Sequence, residues 1–146
     1  MVRKLSHHKF LRTFGLVPRL AVNILVTNRK NEFLLTQRAI PPRVGVWHYP
    51  GSFLLKGEGL LVCLKRVAKN ELGLDITPSK CRLLGVFEDI DEDPRGHVVD
   101  IIYGYKVGSG TKFKPGKDTK EIRFFKKIPA KTGFNHSDVL SHLGYE

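Results

Sequence analysis

The apolar residues of this chain recur with two different periods, and the two periods predict both helices and strands. No proline occurs from Gly57 to Leu72, and the apolar residues of this stretch are three or four positions apart, as on one helix face: Leu61, Leu64, Ala68 and Leu72. Gly73 follows and provides a helix stop. A shorter amphipathic helix is predicted from Leu5 to Phe14, and a last helix runs through Leu143 with Asn135 as its cap.

Strands are predicted where short, β-branched and aliphatic runs are bounded by turn residues. Leu20 to Thr27 and Phe33 to Gln37 flank a polar turn and form a predicted β-hairpin, and Leu83 to Ile90 and Val98 to Val107 flank an acidic turn and form another. A short strand is predicted over Ile122 to Phe125, and the alternating segment Val46 to Leu55 breaks at Pro50 and Gly51. This irregular order of strands and helices predicts an α/β (α+β) fold with a mixed sheet and disfavours a Rossmann topology.

The length and composition predict one small cytoplasmic domain. A chain of 146 residues with 41% hydrophobic content can build one core, so we expect a single domain over residues 1–146, with residues 1–17 as a basic N-terminal extension or helix. No apolar run approaches the roughly 20 residues of a membrane span, and no secretory signal is apparent. The two cysteines are expected to be buried thiols rather than a disulfide.

The charge of the chain predicts an anionic partner. The formal net charge is +11, and basic residues gather towards both ends of the sequence. Phosphates are the commonest anions that such a surface attracts. Nucleic acid is one interpretation of the charge, but it is not favoured, because no nucleic-acid module accompanies the basic residues.

One block of residues carries a family resemblance. It contains Trp47 to Phe53, then Gly57 and Glu58, then Arg66, then Glu71 to Leu74. The block resembles the Nudix box, GxxxxxE followed after seven residues by REUxEExGU, where U is a bulky aliphatic residue. Aligned to that pattern, Ser52 takes the first glycine and Leu74 the final aliphatic position; between them the conserved positions fall on Glu58, Arg66, Glu71 and Gly73.

The resemblance implies a Nudix-like α/β/α sandwich with a mixed central sheet, and a divalent metal, Mg²⁺ or Mn²⁺, beside the helix. It implies catalytic roles for Glu58, Arg66 and Glu71, and it implies metal ligands drawn from Glu71, Asn70 and Glu58. Val67 and Asn70 occupy positions where the box has glutamates, so one of its three helical carboxylates remains. Other carboxylates could compensate, and by type the candidates are Glu121, Asp89, Asp91 and Asp93.

Several residues have two interpretations each. Arg38 could clamp a diphosphate through its guanidinium or form an internal ion pair, and for Arg66 an internal pair is favoured. Glu58 could pair with Arg66, act near the metal or interact with the helix dipole. Substrate-binding positions are expected at Arg38, Gly51, Ser52 and Tyr49. Trp47 could stack on a base, but core packing is favoured. His97 and His136 could transfer protons, but structural roles are favoured.

The leading hypothesis is a divalent-metal-dependent hydrolase of a nucleoside diphosphate linked to another moiety. The run from Arg66 to Gly73 resembles GDP-mannose mannosyl hydrolases, whereas Asp93 to His97 and Phe134 to His136 resemble ADP-ribose pyrophosphatase-like members. One alternative is a weak or inactive Nudix-like module that binds nucleotide or RNA. A weaker one is an isopentenyl-diphosphate-isomerase-like enzyme, which lacks its expected cysteine here. A homodimer is left open.

Overall fold

The computed structural model describes residues 2–146 and contains three α-helices and seven strands. The helices are α1 (His7–Thr13), α2 (Leu60–Leu72) and α3 (His136–His142), and a 3-10 turn lies at Pro78–Lys80. In chain order the strands are β1 (Arg19–Thr27), β2 (Phe33–Arg38), β3 (Trp47–His48), β4 (Gly51–Phe53), β5 (Arg82–Asp89), β6 (Val98–Lys106) and β7 (Thr119–Phe125). No helix in this part of the chain is both long and apolar enough to cross a membrane.

All seven strands belong to one mixed sheet, as the sequence predicted. The main path runs β3-β2-β1-β6-β5, with β4 paired to β1 and β7 paired to β2. The central pair, β1 and β6, is parallel over its full length, while the remaining pairs are antiparallel. Both predicted hairpins are confirmed: β1 joins β2 through a turn that Asn28 stabilises with its side-chain oxygen, and β5 pairs with β6.

The helices cover the two faces of the sheet and divide the core into two clusters. Alternate residues of β1 point to opposite faces, because successive side chains of a strand alternate. Val22, Ile24 and Val26 pack under α2, whereas Leu25 packs with Ile102 and the apolar residues of α3. The predicted α/β/α sandwich is therefore confirmed. Trp47 lies in the second cluster and is 8% exposed, so its core position is confirmed as well.

The ends of two predicted helices differ from expectation for backbone reasons. Helix α2 starts at Leu60 rather than Gly57, because Gly57 has a φ of 83°, which a right-handed helix does not admit. It ends at Gly73, which adopts the expected left-handed conformation with a φ of 63°. Asn135 precedes α3, but its side chain donates to the carbonyl of Glu88 on β5 and does not cap the helix.

Candidate active site

A cavity of about 440 Å³ is lined by residues of α2 and by the sheet face that packs against α3. Arg19, Ala21 and Asn23 line it from β1, and Val98 and Asp100 line it from β6. These are alternate residues of two paired strands, since Arg19 is registered with Val98 and Ala21 with Asp100. The next residues in the same rows, Leu25 and Ile102, enter the core. The sheet face is thus apolar at one end and polar at the other.

Glu71 lies at the boundary between this cavity and an adjoining recess of about 370 Å³. The pKa of Glu71 is raised to about 7, mainly by burial and also by the nearby Asp118, although the Arg38 guanidinium and the Gly51 N–H oppose the rise. Asn70 lines the recess from the same helix, and Asp118 lines it from the loop before β7. A desolvated carboxylate with a second carboxylate nearby favours a cation between them.

Glu58 and Arg66 form an ion pair that fixes the loop in front of α2. Two guanidinium nitrogens of Arg66 donate to the Glu58 carboxylate, the shorter distance being 3.0 Å, and the Glu58 side chain is 2% exposed. Arg66 also donates to Ser52 Oγ at 3.1 Å and to the Phe53 carbonyl at 3.3 Å. The favoured internal pairing is therefore present, and both oxygens of Glu58 face Arg66.

Two arginines converge around one aromatic ring at the cavity wall. The guanidinium carbon of Arg38 lies 5.3 Å from the centroid of Phe134, and that of Arg95 lies 6.0 Å from it. Arg38 donates to the carbonyls of Pro41 and Pro42, and Arg95 donates to both carboxylate oxygens of Asp93. Arg38 thus forms no internal ion pair closer than 4.0 Å among the described residues. Its guanidinium remains available to an anion.

Phe134 holds this position in a strained backbone conformation. Its φ is 56°, in the left-handed region that bulky residues rarely adopt. Such a conformation costs of order 1–3 kcal/mol and persists where the surroundings impose it, commonly at functional sites. Here the ring contacts the imidazoles of His48 and His136 as well as the two guanidiniums.

Part of the cavity lining consists of buried carboxylates. Asn23 Nδ2 donates to Asp100 Oδ1 at 3.0 Å, and both residues are 4% exposed. Burial raises the pKa of Asp100 to about 6, with Asp89 and Asp93 adding to the rise and the Asn23 hydrogen bond opposing it. Gly51 leaves the space that the Asn23 side chain occupies, because a Cβ at position 51 would overlap Asn23 Oδ1.

Tyr49 and the two histidines behind the cavity are packed as core groups. Tyr49 is fully buried and its ring is stacked on that of His136 at 3.5 Å. The Tyr49 backbone N–H donates to His136 Nδ1 at 3.3 Å, so this imidazole nitrogen is an acceptor. Burial lowers the pKa of His136 well below its ordinary value and that of His48 to about 3. Both imidazoles are therefore neutral at physiological pH, and they wall the site without adding charge.

The N-terminal helix closes one side of the cavity. Four residues of this segment contribute to the lining: Lys4, Leu5, His7 and Phe10. Phe10 lies 5.4 Å from Phe53 between ring centroids, and the Arg19 guanidinium lies over both rings. No residue of α1 is buried, so the helix is attached by these aromatic and cation–π contacts and by the hydrogen bond that Arg19 donates to Thr13 Oγ1.

Most of the site residues expected from the sequence meet at this cavity. Arg38, Gly51, Ser52, Arg66 and Glu71 line it, and Asn70 lines the adjoining recess. Tyr49 and Glu58 line neither. Of the carboxylates considered as compensation for the missing glutamates, two line the cavity, Asp89 and Asp93, whereas Asp91 does not and Glu121 pairs with Arg123 on β7.

The polar residues of the site that were not predicted from the sequence include Asn23, Asp100, Arg95 and Asp118. For Asn23 and Asp100 a signal was present, because each interrupts an otherwise apolar strand at a position that shares a face with core residues. No comparable signal marked Asp118, which lies in a polar loop. The two cysteines are free thiols outside the cavity lining, which removes the cysteine chemistry that the isomerase alternative requires.

The donor set fits a hard divalent cation with few protein ligands. Within residues 2–146 no group of three or more His, Cys, Asp or Glu side chains is close enough to hold a metal ion alone. Glu71, Asp118 and the Asn70 amide provide oxygen donors on the recess. Oxygen ligands suit Mg²⁺ and Mn²⁺, and Mg²⁺ commonly completes its coordination with water and substrate phosphates.

Comparisons with known proteins give the family. Residues 17–138 match the model of the NUDIX domain. The chain is 36% identical over 125 residues to an ADP-ribose pyrophosphatase of Methanocaldococcus jannaschii, which covers 84% of this chain and 71% of the relative. Among solved structures, a MutT/nudix family protein from Enterococcus faecalis has a TM-score of 0.76 at 24% identity, covering 94% of this chain and 68% of that one.

A second solved structure adds a bound ligand. The NUDIX domain of Shewanella oneidensis NrtR, complexed with ADP ribose, has a TM-score of 0.73 at 16% identity and covers 94% of this chain and 96% of that one. At these identities the two solved structures confirm the fold. The match to the NUDIX domain model and the 36% identity to the pyrophosphatase show more than the fold: the chain belongs to the Nudix hydrolase family.

Proposed function

We propose that this chain hydrolyses a nucleoside diphosphate linked to a second group, of the ADP-ribose type, with a divalent metal ion, Mg²⁺ or Mn²⁺. The observation that carries the proposal is the position of Glu71, a largely desolvated carboxylate beside Arg38 at the junction of cavity and recess. The similarity to an ADP-ribose pyrophosphatase supports the choice of substrate class.

The arginines provide the anion-binding part of this function. Arg95 lies close enough to Arg38 to affect it, since burial lowers the pKa of Arg38 and the charge of Arg95 lowers it further. Two cations that remain close in a partly desolvated cavity are stabilised by an anion between them, and guanidinium groups match phosphate oxygens geometrically. Arg38 and Arg95 would therefore bind and orient the diphosphate.

Glu71, Asp118 and Asn70 would hold the metal ion, which, when bound, neutralises diphosphate charge and activates a water molecule for attack. Glu58 and Arg66 act one step away as positioning residues. Arg66 joins Glu58 to Ser52 and Phe53, so the pair holds the loop in front of α2 against β4, the strand that places Gly51 next to the Glu71 carboxylate. Loss of either partner would displace the loop rather than remove a group from the substrate.

The second candidate function is a module that binds a nucleotide without hydrolysing it. Val67 favours this alternative, because it occupies the position of the first helical glutamate of the Nudix box yet packs in the core at 1% exposure. Asn70 adds an amide where the box has a charge. The two functions share the cavity and differ in turnover.

Turnover of a defined panel separates the two functions. The protein would be incubated with ADP-ribose, other nucleoside diphosphate sugars and dinucleoside diphosphates, with Mg²⁺ or Mn²⁺ and with chelator. Hydrolysis that requires the metal and that Glu71→Gln abolishes supports the proposal. Asp75→Asn is the matched control, because Asp75 follows the same helix but its side chain is 84% exposed and pairs with Lys69. Binding that persists in chelator without any product would replace hydrolysis by the second function.

A further inference from the structure

Two carboxylates that line the cavity, Asp100 and Asp89, accept fewer hydrogen bonds than their oxygens allow. Asp100 accepts one hydrogen bond, from Asn23, at its Oδ1, and no donor of residues 2–146 reaches its Oδ2. Asp89 accepts two backbone N–H groups, from Glu92 and Asp93, also at its Oδ1 alone. Both side chains line the cavity, and both residues are 4% exposed. Each is thus a largely buried residue of the cavity lining with one carboxylate oxygen that accepts no hydrogen bond from the described chain.

The nearby arginines do not neutralise this pair of carboxylates. Arg95 is engaged by both oxygens of Asp93, at 2.8 and 3.0 Å. Arg19 donates to Thr13 Oγ1, and its guanidinium lies 5.2 to 5.5 Å from the centroids of three phenylalanine rings. No basic side chain comes within 4.0 Å of the carboxylate of Asp89 or Asp100 in the described chain.

A buried carboxylate without such a partner is unfavourable, and the lost solvation is recovered when a ligand donates hydrogen bonds to it. The arginines and these two carboxylates consequently have opposite preferences. Arg38 favours a phosphate, whereas a phosphate beside Asp100 and Asp89 would meet two carboxylates. Sugar hydroxyls are neutral, they donate hydrogen bonds, and vicinal hydroxyls can reach two neighbouring acceptors at once.

We infer that Asp100 and Asp89, with Asn23 orienting Asp100, form a subsite that recognises the hydroxyl groups of a ribose on the substrate. The inference rests on the proposed function for the position of the diphosphate, and it specifies what the linked group must present. A compound whose sugar lacks the recognised hydroxyl leaves the carboxylate unpaired and binds more weakly. An amide at position 100 keeps an acceptor for Asn23 and removes the charge that favours the hydroxyl.

Binding measured without turnover tests the subsite. Dissociation constants would be determined calorimetrically in chelator for ADP-ribose, for single-deoxy analogues covering both ribose rings, and for IDP-ribose, which lacks the exocyclic amine. We expect at least one deoxy analogue to bind the unchanged protein about tenfold more weakly or worse, as for a lost hydrogen bond to a charged group. In Asp100→Asn the dissociation constant of that analogue should exceed the one for ADP-ribose by less than about threefold. Asp89→Asn tests the second carboxylate in the same way.

Asp75→Asn is the control and should keep the full discrimination. Equal binding of all deoxy analogues by the unchanged protein would overturn the inference, and so would a ratio that Asp100→Asn and Asp89→Asn leave intact. Weaker binding of IDP-ribose alone would show that the protein recognises the exocyclic amine of the base, and this result would also overturn the inference. If the protein distinguishes the deoxy analogues but hydrolyses nothing, the ribose subsite stands and the proposed hydrolase activity is refuted. If it hydrolyses the substrates but does not distinguish the analogues, the activity stands and the subsite is refuted.

Discussion

Replacing Asp100 by asparagine should make the protein more stable at neutral pH. In the folded protein, burial and the neighbouring Asp89 and Asp93 raise the pKa of Asp100 from 3.8 to about 6. The ionised carboxylate is thus less stable in the folded than in the unfolded chain. The difference corresponds to about 3 kcal/mol at neutral pH, as an upper limit. The amide oxygen of the Asp100→Asn variant would still accept the Asn23 hydrogen bond without carrying the charge.

The sign of the pH dependence follows from the two pKa values. Below about pH 4 the Asp100 carboxyl is protonated in both the folded and the unfolded state, so the destabilising contribution is absent. Above about pH 6 it is ionised in both, and the contribution is fully present. The free energy of unfolding of Asp100→Asn, minus that of the unchanged protein, should rise from near zero at pH 4 to as much as about 3 kcal/mol at pH 8.

Urea unfolding at a series of pH values measures this difference directly. In a chain of this length, 3 kcal/mol corresponds to a rise in Tm of about 6–12 °C. Glu71 also has a raised pKa, but it is present in both proteins, so its contribution cancels in the comparison. A difference that is constant from pH 4 to pH 8, or a variant less stable at pH 8, would refute the reasoning. A more stable variant that binds ribose less selectively would identify Asp100 as a residue kept for function.

Three further substitutions have defined outcomes. Gly51→Ala places a methyl group on Asn23 Oδ1, so unfolding should become easier by about 1–3 kcal/mol in a denaturant titration; unchanged stability would contradict this overlap. Glu58→Gln removes the charged partner of Arg66 and should lower the free energy of unfolding by about 2 kcal/mol. The loss is smaller than for a fully buried pair because the Arg66 side chain is 30% exposed. Equal urea midpoints for the variant and the unchanged protein would refute this prediction. Phe10→Ala opens the α1 wall, so KM should rise about threefold to tenfold with kcat little changed, and a fall in kcat alone would argue against a binding role.

The sequence predicted the scaffold well because periodicity and backbone chemistry report on it directly. The apolar spacing of α2 and the glycine after it determine where that helix packs and where it ends, and the alternating runs determine the strands. Asn135 was predicted as a helix cap from residue type alone. Its ψ of 12° is not the extended conformation that a capping side chain requires, so the amide bonds to β5 instead.

The composition of the site was only partly predictable, because it depends on which strands become neighbours. Asn23 and Asp100 are 77 positions apart in sequence and meet only because β1 pairs with β6 in parallel. Asp118 reaches the recess through the loop before β7, whose path no local pattern specifies. Glu71 was predictable because its position within a local motif and on a helix face is fixed by the sequence itself.

The small number of metal ligands leads to a final prediction about how metal and substrate bind. Glu71, Asp118 and Asn70 offer few oxygens and at most two charges, whereas a divalent cation of this class takes about six ligands. Diphosphate oxygens would supply the remainder, so the metal ion and the nucleotide should each raise the affinity for the other by the same factor, about 5-fold to 150-fold.

Mn²⁺ titrations with and without a non-hydrolysable nucleoside diphosphate measure that factor, after subtraction of chelation by the nucleotide in solution. Asn70→Asp adds a charge at an exposed position, so it should tighten Mn²⁺ binding to the protein alone and reduce the coupling. Tight Mn²⁺ binding without the nucleotide, unchanged on its addition, would mean that the chain holds its metal independently of the substrate.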